Sequence, residues 1–231
     1  MTLYLPWFLP ETVVDAVKLA YLRLKFSRQT IYSPYVSPHC RLGIGCSIGR
    51  QAVIGRNVSI GDYSYANMQS VVMSGEIGKY TSIGYNAVVG PEVHPTSYLS
   101  TSPKMYSLSN IFGTLGTWDE YADPPKIGSD VWIGANSLIM QGVEIGDGSV
   151  IGANSVVSRP IPPYAVAYGS PAKVARLRFS EKTIADLLSL RWWDLPRQDL
   201  NLFINYFHEP VEELHLREKI HEFLERVKDC A

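Results

Sequence analysis

The chain has 231 residues, 46% of them hydrophobic, with 21 lysines and arginines against 22 aspartates and glutamates. That length supports one large domain, or one domain with appendages, and the near-balance of charge argues against a dedicated nucleic-acid binder, which carries a basic excess. The three cysteines, Cys40, Cys46 and Cys230, include no CxxC pair and an odd one out, so they read as reduced thiols of a cytoplasmic protein and not as a disulfide framework.

The opening "MTLYLPWFLPE" is apolar but lacks a positive n-region and meets Pro6, Pro10 and Glu11 early, so it does not read as a secretory signal. No run of about eighteen apolar residues is present, and no transmembrane helix is expected. From Pro10 to Phe26, the residues Val13, Val17, Ala20, Tyr21 and Leu24 recur at helical spacing. Leu19 and Leu22 widen that face, while Lys18, Arg23, Lys25 and Arg28 are basic. Two roles fit such a helix. It can pack on the open end of the following domain or on a neighbouring subunit. It can also lie at a membrane interface, with Trp7 and Phe8 just upstream. The expected location is therefore cytoplasmic, with the inner face of the membrane as the place of any peripheral contact.

A different rhythm follows. Ile48, Ile54 and Ile60 stand six residues apart, each followed by glycine. The lattice slips by one near "SVVMSGE" and resumes at Ile77, Ile83 and Val89. After a break it returns at Ile127, Ile133, Ile139, Ile145, Ile151 and Val157. Six is neither the helical period nor that of a single-sided strand. It suits short strands that each form one flat side of a prism, with one aliphatic residue pointing inward per side. Three sides make a coil, and coils stack about 4.8 Å apart as parallel strands. The glycine that follows ten of these twelve aliphatics suits a tight corner, as do Asn57, Asp62, Asn86, Asn136 and Asp147. A flat sandwich with glycine-rich turns is the rival, and so many aliphatics on one lattice argue against it.

The segments "YSYANMQSV", "GKYTSIG", "VWIGANSLIMQGVEIGDGSVIGANSVV", "YGSPAKVAR" and "LRWWDLP" together resemble the hexapeptide-repeat acyltransferases, in the xenobiotic acetyltransferase branch and its polysaccharide O-acetyltransferase relatives. The likeness runs from about Gly43 to Pro196. It implies a left-handed parallel β-helix that works as a homotrimer. The left hand comes from the resemblance alone, since the general crossover rule favours the right. The expected organisation is an N-terminal helical segment over residues 1–38, the β-helix over 39–176 with an excursion loop at 95–126, and C-terminal helices over 177–231. In the last part, Ser180 can cap a helix bearing Ile184, Leu187 and Leu188. Pro196 opens a second with Leu200, Phe203, Ile204 and Phe207, and a third carries Leu216, Ile220, Phe223, Leu224 and Val227. Trp192 and Trp193 read as packing anchors.

The chemistry is expected at the break. Thirty-two residues from Pro95 to Lys126 are too many for an idle connection in a compact repeat, and His94 stands at their base. The resemblance makes this histidine the general base. Physically, moving an acetyl group from a thioester to a hydroxyl requires removal of the hydroxyl proton as the bond forms. Imidazole, with a reference pKa of about 6.5, suits that task. Cys40 and Cys46 lie at least two coils earlier, which favours direct transfer over a covalent route. Many relatives carry an aspartate shortly after the histidine, whereas this run is "HPTSYLSTSP". The candidates for orienting the base are then Glu92, Asp119, Glu120 and Asp123.

The resemblance also implies acetyl-CoA as donor substrate, held in a groove between adjacent prisms. Matching "WIGAN" and "IGANS" places contacts at Ala135 and Ala153. "VSR" gives Ser158 and Arg159, and "PAKVAR" gives Lys173 and Arg176. Small residues admit a close ligand backbone, and cations meet the phosphates. Trp132 either lines the groove or packs. The drug-modifying members of the family this chain resembles commonly carry a long loop between the "YSY" and "IGKY" coils and an aspartate run after the histidine. Here the link is about ten residues and the aspartate is missing, and both departures favour a sugar hydroxyl in surface polysaccharide or its precursor over an antibiotic acceptor. A non-catalytic trimeric scaffold is the alternative of another class. A zinc enzyme of carbonic anhydrase type is disfavoured and no metal is expected. Only His39 and His94 lie in or beside the repeat, with His208, His215 and His221 in the tail.

Overall fold

The structure, a computed structural model, describes residues 10–229. Trp7, Phe8 and Cys230 lie outside the described residues. The aliphatic lattice forms the inside of a three-faced parallel β-helix. Ile48, Ile83, Val89, Ile133, Ile139, Ile151 and Val157 are all 0% exposed. The first face stacks Thr30–Ile31, Ser47–Ile48, Tyr65–Ala66, Ser82–Ile83, Trp132–Ile133, Val150–Ile151 and Ala165–Gly169 in parallel. The second carries Val88–Val89, Leu138–Ile139 and Val156–Val157. The third carries Arg41–Leu42, Lys126–Ile127 and Glu144–Ile145. Two longer strands, Val53–Ile60 and Val71–Ile77, round the corner from the second face to the third.

Register shows how the break fits. Trp132 pairs with Val150 and Leu138 with Val156, so one complete coil takes eighteen residues. Ser82 pairs with Trp132 and Glu76 with Lys126, each fifty residues apart. The surplus of thirty-two is the excursion, inserted at the corner between the second and third faces while the ladder continues past it. The slip near "SVVMSGE" appears as a coil one residue short, since Val71 pairs with Val88, seventeen residues on.

The hexad glycines are needed for space more than for unusual backbone angles. A Cβ on Gly134 would stand 2.5 Å from the Ala153 nitrogen of the next coil, and one on Gly128 would stand 2.6 Å from the Asp147 nitrogen. The left-handed backbone falls elsewhere. Gln51, Gln69, Asn86, Asn136 and Asn154 take φ of 54–60° at the corner between the first and second faces. Tyr63, Tyr80, Asp130 and Tyr164 take 55–59° at the corner between the third and first. Asp62 and Asp147 instead accept backbone N–H groups of the preceding coil, from Ile44 at 2.8 Å and Ser129 at 2.7 Å.

Helix α1 (Glu11–Lys25) packs on the open end of the first coil through Leu22 and Phe26, and Arg23 Nε donates to the Ile31 carbonyl at 2.9 Å. Val13, Val17 and Leu24 remain exposed. Among the described residues no helix is long and apolar enough to cross a membrane. The excursion contains a short helix, α2 (Pro103–Tyr106).

The repeat ends in an antiparallel hairpin of Ala165–Gly169 with Ala172–Leu177, an element absent from the sequence reading. Beyond it α3 (Glu181–Leu190) starts at Ser180, whose side chain accepts from the Thr183 N–H. The single helix expected after Pro196 is instead α4 (Arg197–Leu200), a 3-10 turn and α5 (Ile204–His208). A longer helix, α6 (Glu213–Asp229), is the last described element. These helices form a second core and seat on the corner between the third and first faces. Trp192 meets Tyr80 with centroids 4.9 Å apart, Lys79 pairs with Asp194 at 2.9 Å, and Arg178 pairs with Asp130 at 3.2 Å.

Gly134→Ala is expected to destabilise the protein by about 1–3 kcal/mol, because backbone cannot yield to the added methyl. Urea denaturation with an unchanged slope and a lowered midpoint is the expected result.

Candidate active site

The chain leaves the prism at Gly90, where φ is +58° and a Cβ would stand 2.4 Å from the Ser74 carbonyl, so only glycine fits. It rejoins at Pro125, whose carbonyl accepts the Glu76 N–H at 2.9 Å. Gln141, one coil on at the same corner, fastens the foot of the excursion. Its side-chain amide approaches the carbonyls of Pro91 at 3.0 Å and Glu120 at 3.2 Å and the Ser74 hydroxyl at 3.2 Å. The two arms are tied by Val93 N–H to the Glu120 carbonyl at 3.2 Å and by Trp118 Nε1 to the Val93 carbonyl at 2.8 Å.

His94 stands on this foot with its ring exposed. Nδ1 lies 2.7 Å from the Thr101 carbonyl oxygen. A carbonyl has no proton to give, so Nδ1 carries the proton and Nε2 is the basic nitrogen. The Tyr106 hydroxyl lies 2.9 Å from the same Nδ1 and 3.3 Å from the Thr101 carbonyl, which it reaches as donor. Tyr106 is buried, and that burial, with the charge of Glu120 adding to it, raises its phenol above the ordinary value. The hydroxyl therefore stays protonated. Tyr98 sets its ring edge-on to Tyr106 and to Trp118, giving His94 an aromatic surround.

The orienting group is thus a backbone carbonyl and a tyrosine, not one of the four carboxylates considered from sequence. Glu92 accepts the Tyr121 hydroxyl at 2.6 Å, and Asp119 accepts the Tyr121 N–H at 2.9 Å. The Glu120 side chain makes no hydrogen bond to His94, and Asp123 sits against Gly142. Thr101 and Tyr106 lie seven and twelve residues beyond His94 in an aperiodic loop. No spacing rule in the sequence could have singled them out. Cys40 and Cys46 are buried in the prism, and burial pushes both thiols up to about 11, so neither offers a thiolate at neutral pH.

The remaining candidates fall into three places. Ala135 and Ala153 occupy successive layers of the corner between the first and second faces, where Asn154 N–H donates to the Ala135 carbonyl at 2.9 Å. Lys173 lies by the hairpin tip at the same corner, where Gly169 N–H reaches Ser155 Oγ at 3.2 Å. Ser158 and Arg159 are exposed on the other edge of the second face, at the corner that bears His94. Arg176 lies further along the hairpin strand, opposite Val166, and donates from Nη1 to the Leu177 carbonyl at 3.0 Å. The structure therefore groups Ala135, Ala153 and Lys173, places Ser158 and Arg159 across the face, and sets Arg176 apart. Trp132 is 57% exposed on the first face and does not pack in the core. Among the described residues no three His, Cys, Asp or Glu side chains are grouped to hold a metal ion.

Residues 124–159 match the family model described as bacterial transferase hexapeptide (six repeats). Over 128 residues the chain is 38% identical to a chloramphenicol acetyltransferase of Escherichia coli, a match covering 54% of this chain and 61% of that protein. It is 36% identical over 151 residues to a Lysinibacillus sphaericus protein named "Probable macrolide acetyltransferase", covering 60% of this chain and 80% of that one. It is also 38% identical over 123 residues to the galactoside O-acetyltransferase of Escherichia coli K12, covering 53% and 55%. The chain thus spans about three fifths of the length of the chloramphenicol acetyltransferase it matches.

The tautomer can be read directly. Nitrogen-15 spectra of the histidines at alkaline pH should show His94 protonated on Nδ1 and bare on Nε2. Tyr106→Phe should retain that state with a broadened, more mobile ring signal, because one of two restraints is lost.

Proposed function

The chain belongs to the hexapeptide-repeat acyltransferases, in the branch of the xenobiotic and galactoside acetyltransferases, and from that premise we propose that it moves an acetyl group from acetyl-CoA to a hydroxyl group. The observation that carries this reading is His94, with its Nδ1 held by the Thr101 carbonyl and its ring exposed at the foot of the excursion.

In the proposed reaction Nε2 accepts the hydroxyl proton as the acceptor oxygen bonds to the thioester carbonyl carbon. The carbon–sulfur bond then breaks, and the proton held on His94 passes to the departing thiolate. Through Nδ1 the Thr101 carbonyl and Tyr106 steady the cation that forms on the ring. No enzyme nucleophile takes part. The donor's pantetheine arm is assigned to the Ala135 and Ala153 corner, where two small side chains allow close approach. Lys173, at the same corner, is assigned to its phosphate groups, with Arg176 further along the hairpin strand; Ser158 and Arg159, across the second face, would meet the donor only on a neighbouring prism's side of the groove. A trimer would complete the groove with a neighbouring prism.

The acceptor is proposed to be a sugar hydroxyl, in keeping with the galactoside-acetylating relative and the short link between the early coils. A drug hydroxyl is the second reading, favoured by the chloramphenicol-acetylating relative and by the exposed apolar side chains of the excursion, Leu99, Leu108, Phe112 and Leu115. Thiol release from acetyl-CoA over a panel of sugars, nucleotide sugars and chloramphenicol decides between them. Release with none of them would leave the scaffold alternative.

His94→Ala should lower turnover by about two to four orders of magnitude while leaving acetyl-CoA affinity nearly intact. Lys173→Ala should raise the Michaelis constant for acetyl-CoA about five- to ten-fold with turnover at saturation little changed, and the effect should shrink in high salt. Arg176→Ala should act in the same direction and more weakly.

A further inference from the structure

The corner that bears His94 continues toward the N-terminus, and there it carries a cluster of cations that the reaction above does not use. His39 lies at this corner between Val36, which bridges to Ile54 on the second face, and the strand Arg41–Leu42 on the third. Arg56 lies one coil on, where Val53–Ile60 rounds the same corner and its pairing shifts register between Ile54 and Asn57. Such an irregularity re-aims a side chain, and Arg56 is turned outward and exposed.

Two adjoining cavities meet at His39 and Arg56. One, of about 370 Å³, also has Arg41 and Asn57 in its wall and reaches Gly75 and Pro124, the latter at the returning end of the excursion. The other, of about 500 Å³, runs down to Lys18 and Tyr21 of α1. Glu76 is the one acidic residue lining the first cavity, and none lines the second. Asp15, beside the second, is 4.0 Å from Lys18 and accepts the Tyr35 hydroxyl. Neither Arg41 nor Arg56 forms an ion pair with a carboxylate among the described residues. Cations scattered over a surface are ordinarily neutralised by nearby acids or point away from one another. Here two guanidinium groups and an imidazole surround one recess. A planar guanidinium with free N–H groups matches the oxygens of a phosphoryl group, which it can hold with two parallel bonds.

We propose that this recess binds a phosphoryl or diphosphoryl group, and that it is the anchoring subsite for the acceptor, whose sugar then extends along the corner toward His94. The assignment to the acceptor rests on the acetyl-transfer reading, whereas the anion site rests on Arg41, Arg56 and His39 themselves. A phosphorylated acceptor also separates the two reactants. The donor's phosphates are assigned to Lys173 near the C-terminal end of the prism and the acceptor's to the arginines near the other end, so the two phosphate sites lie apart.

The test is calorimetric titration of the full chain with inorganic pyrophosphate at low salt. Wild type should bind, Arg41→Ala and Arg56→Ala should each weaken binding about ten-fold or more, and added salt should weaken it further. Lys182→Ala, an exposed cation on α3, should bind as wild type does. Pyrophosphate that fails to bind, or that binds the Arg41→Ala/Arg56→Ala protein as tightly as wild type, overturns the site. Coenzyme A affinity should be unchanged in these variants. A parallel loss of coenzyme A binding would give the arginines to the donor and overturn the acceptor assignment. UDP-galactose bound with the same arginine dependence places the phosphate on a soluble acceptor, and phosphatidic-acid vesicles bound with it place it on a lipid. If pyrophosphate binds as expected and no acceptor is ever acetylated, the anion site stands and the transfer reading falls.

Discussion

Everything in this molecule depends on one requirement: each coil must lie on the next at strand-pairing distance with an aliphatic residue directed inward from every face. Ile133 over Ile151 and Ile139 over Val157 meet it at the cost of the space beside them. That is why ten of the twelve inward aliphatics, Ile133 among them, are followed by glycine, since a single methyl at Gly134 would strike the neighbouring backbone, while Met140 and Ser158 follow Ile139 and Val157. It is also why the corners put left-handed backbone on asparagine, glutamine and tyrosine. Their side chains point outward, and in the case of Tyr63 and Tyr80 they stack with centroids 5.1 Å apart.

The same requirement explains how the excursion can be inserted without loss of the fold. Lys126 and Ile127 pair with Glu76 and Ile77 as though the intervening residues were absent. The strand ladder therefore runs past the excursion without a gap. The excursion's own conformation depends on local ties: Gln141 at the foot, the Trp118 to Val93 contact between the arms, and Tyr106 buried beneath His94. A rigid prism and a loop held by a few polar contacts divide the work between positioning and recognition. The His94 ring is fixed from below, through Nδ1, and in the proposed reaction the outer nitrogen and the aromatic rim meet the substrate.

How much of this was legible in the sequence follows from the same division. The twelve inward aliphatics were visible because a six-residue period leaves a periodic mark, and the break was visible because the mark vanished. His94 could be singled out by standing where it vanished. Thr101 and Tyr106 could not, because they reach Nδ1 by the path of an aperiodic loop, one of them with a backbone carbonyl that carries no residue preference. The antiparallel hairpin after Ala165 was hidden as well. "AVAYGSPAKVARL" lacks the hexad mark, and its pairing is made by backbone groups. The stretch after Pro196 has helical apolar spacing, yet it breaks into short turns so that Phe203 can enter the second core against Phe223, 5.5 Å away between centroids. Tertiary packing overrode local preference there. Arg41 and Arg56 were unremarkable as letters, and only the stacking of coils brings them to one recess.

Direct transfer is the centre of the proposed reaction: Nε2 of His94 would activate a hydroxyl, and the buried thiols of Cys40 and Cys46 would stay out of the chemistry. The most direct measurement is the initial-velocity pattern with acetyl-CoA and a competent hydroxyl acceptor varied against each other. Reciprocal plots that intersect, with no acetylated protein detected by mass spectrometry in the absence of acceptor, are the predicted result. Parallel plots together with an acetyl group retained on the protein would contradict it.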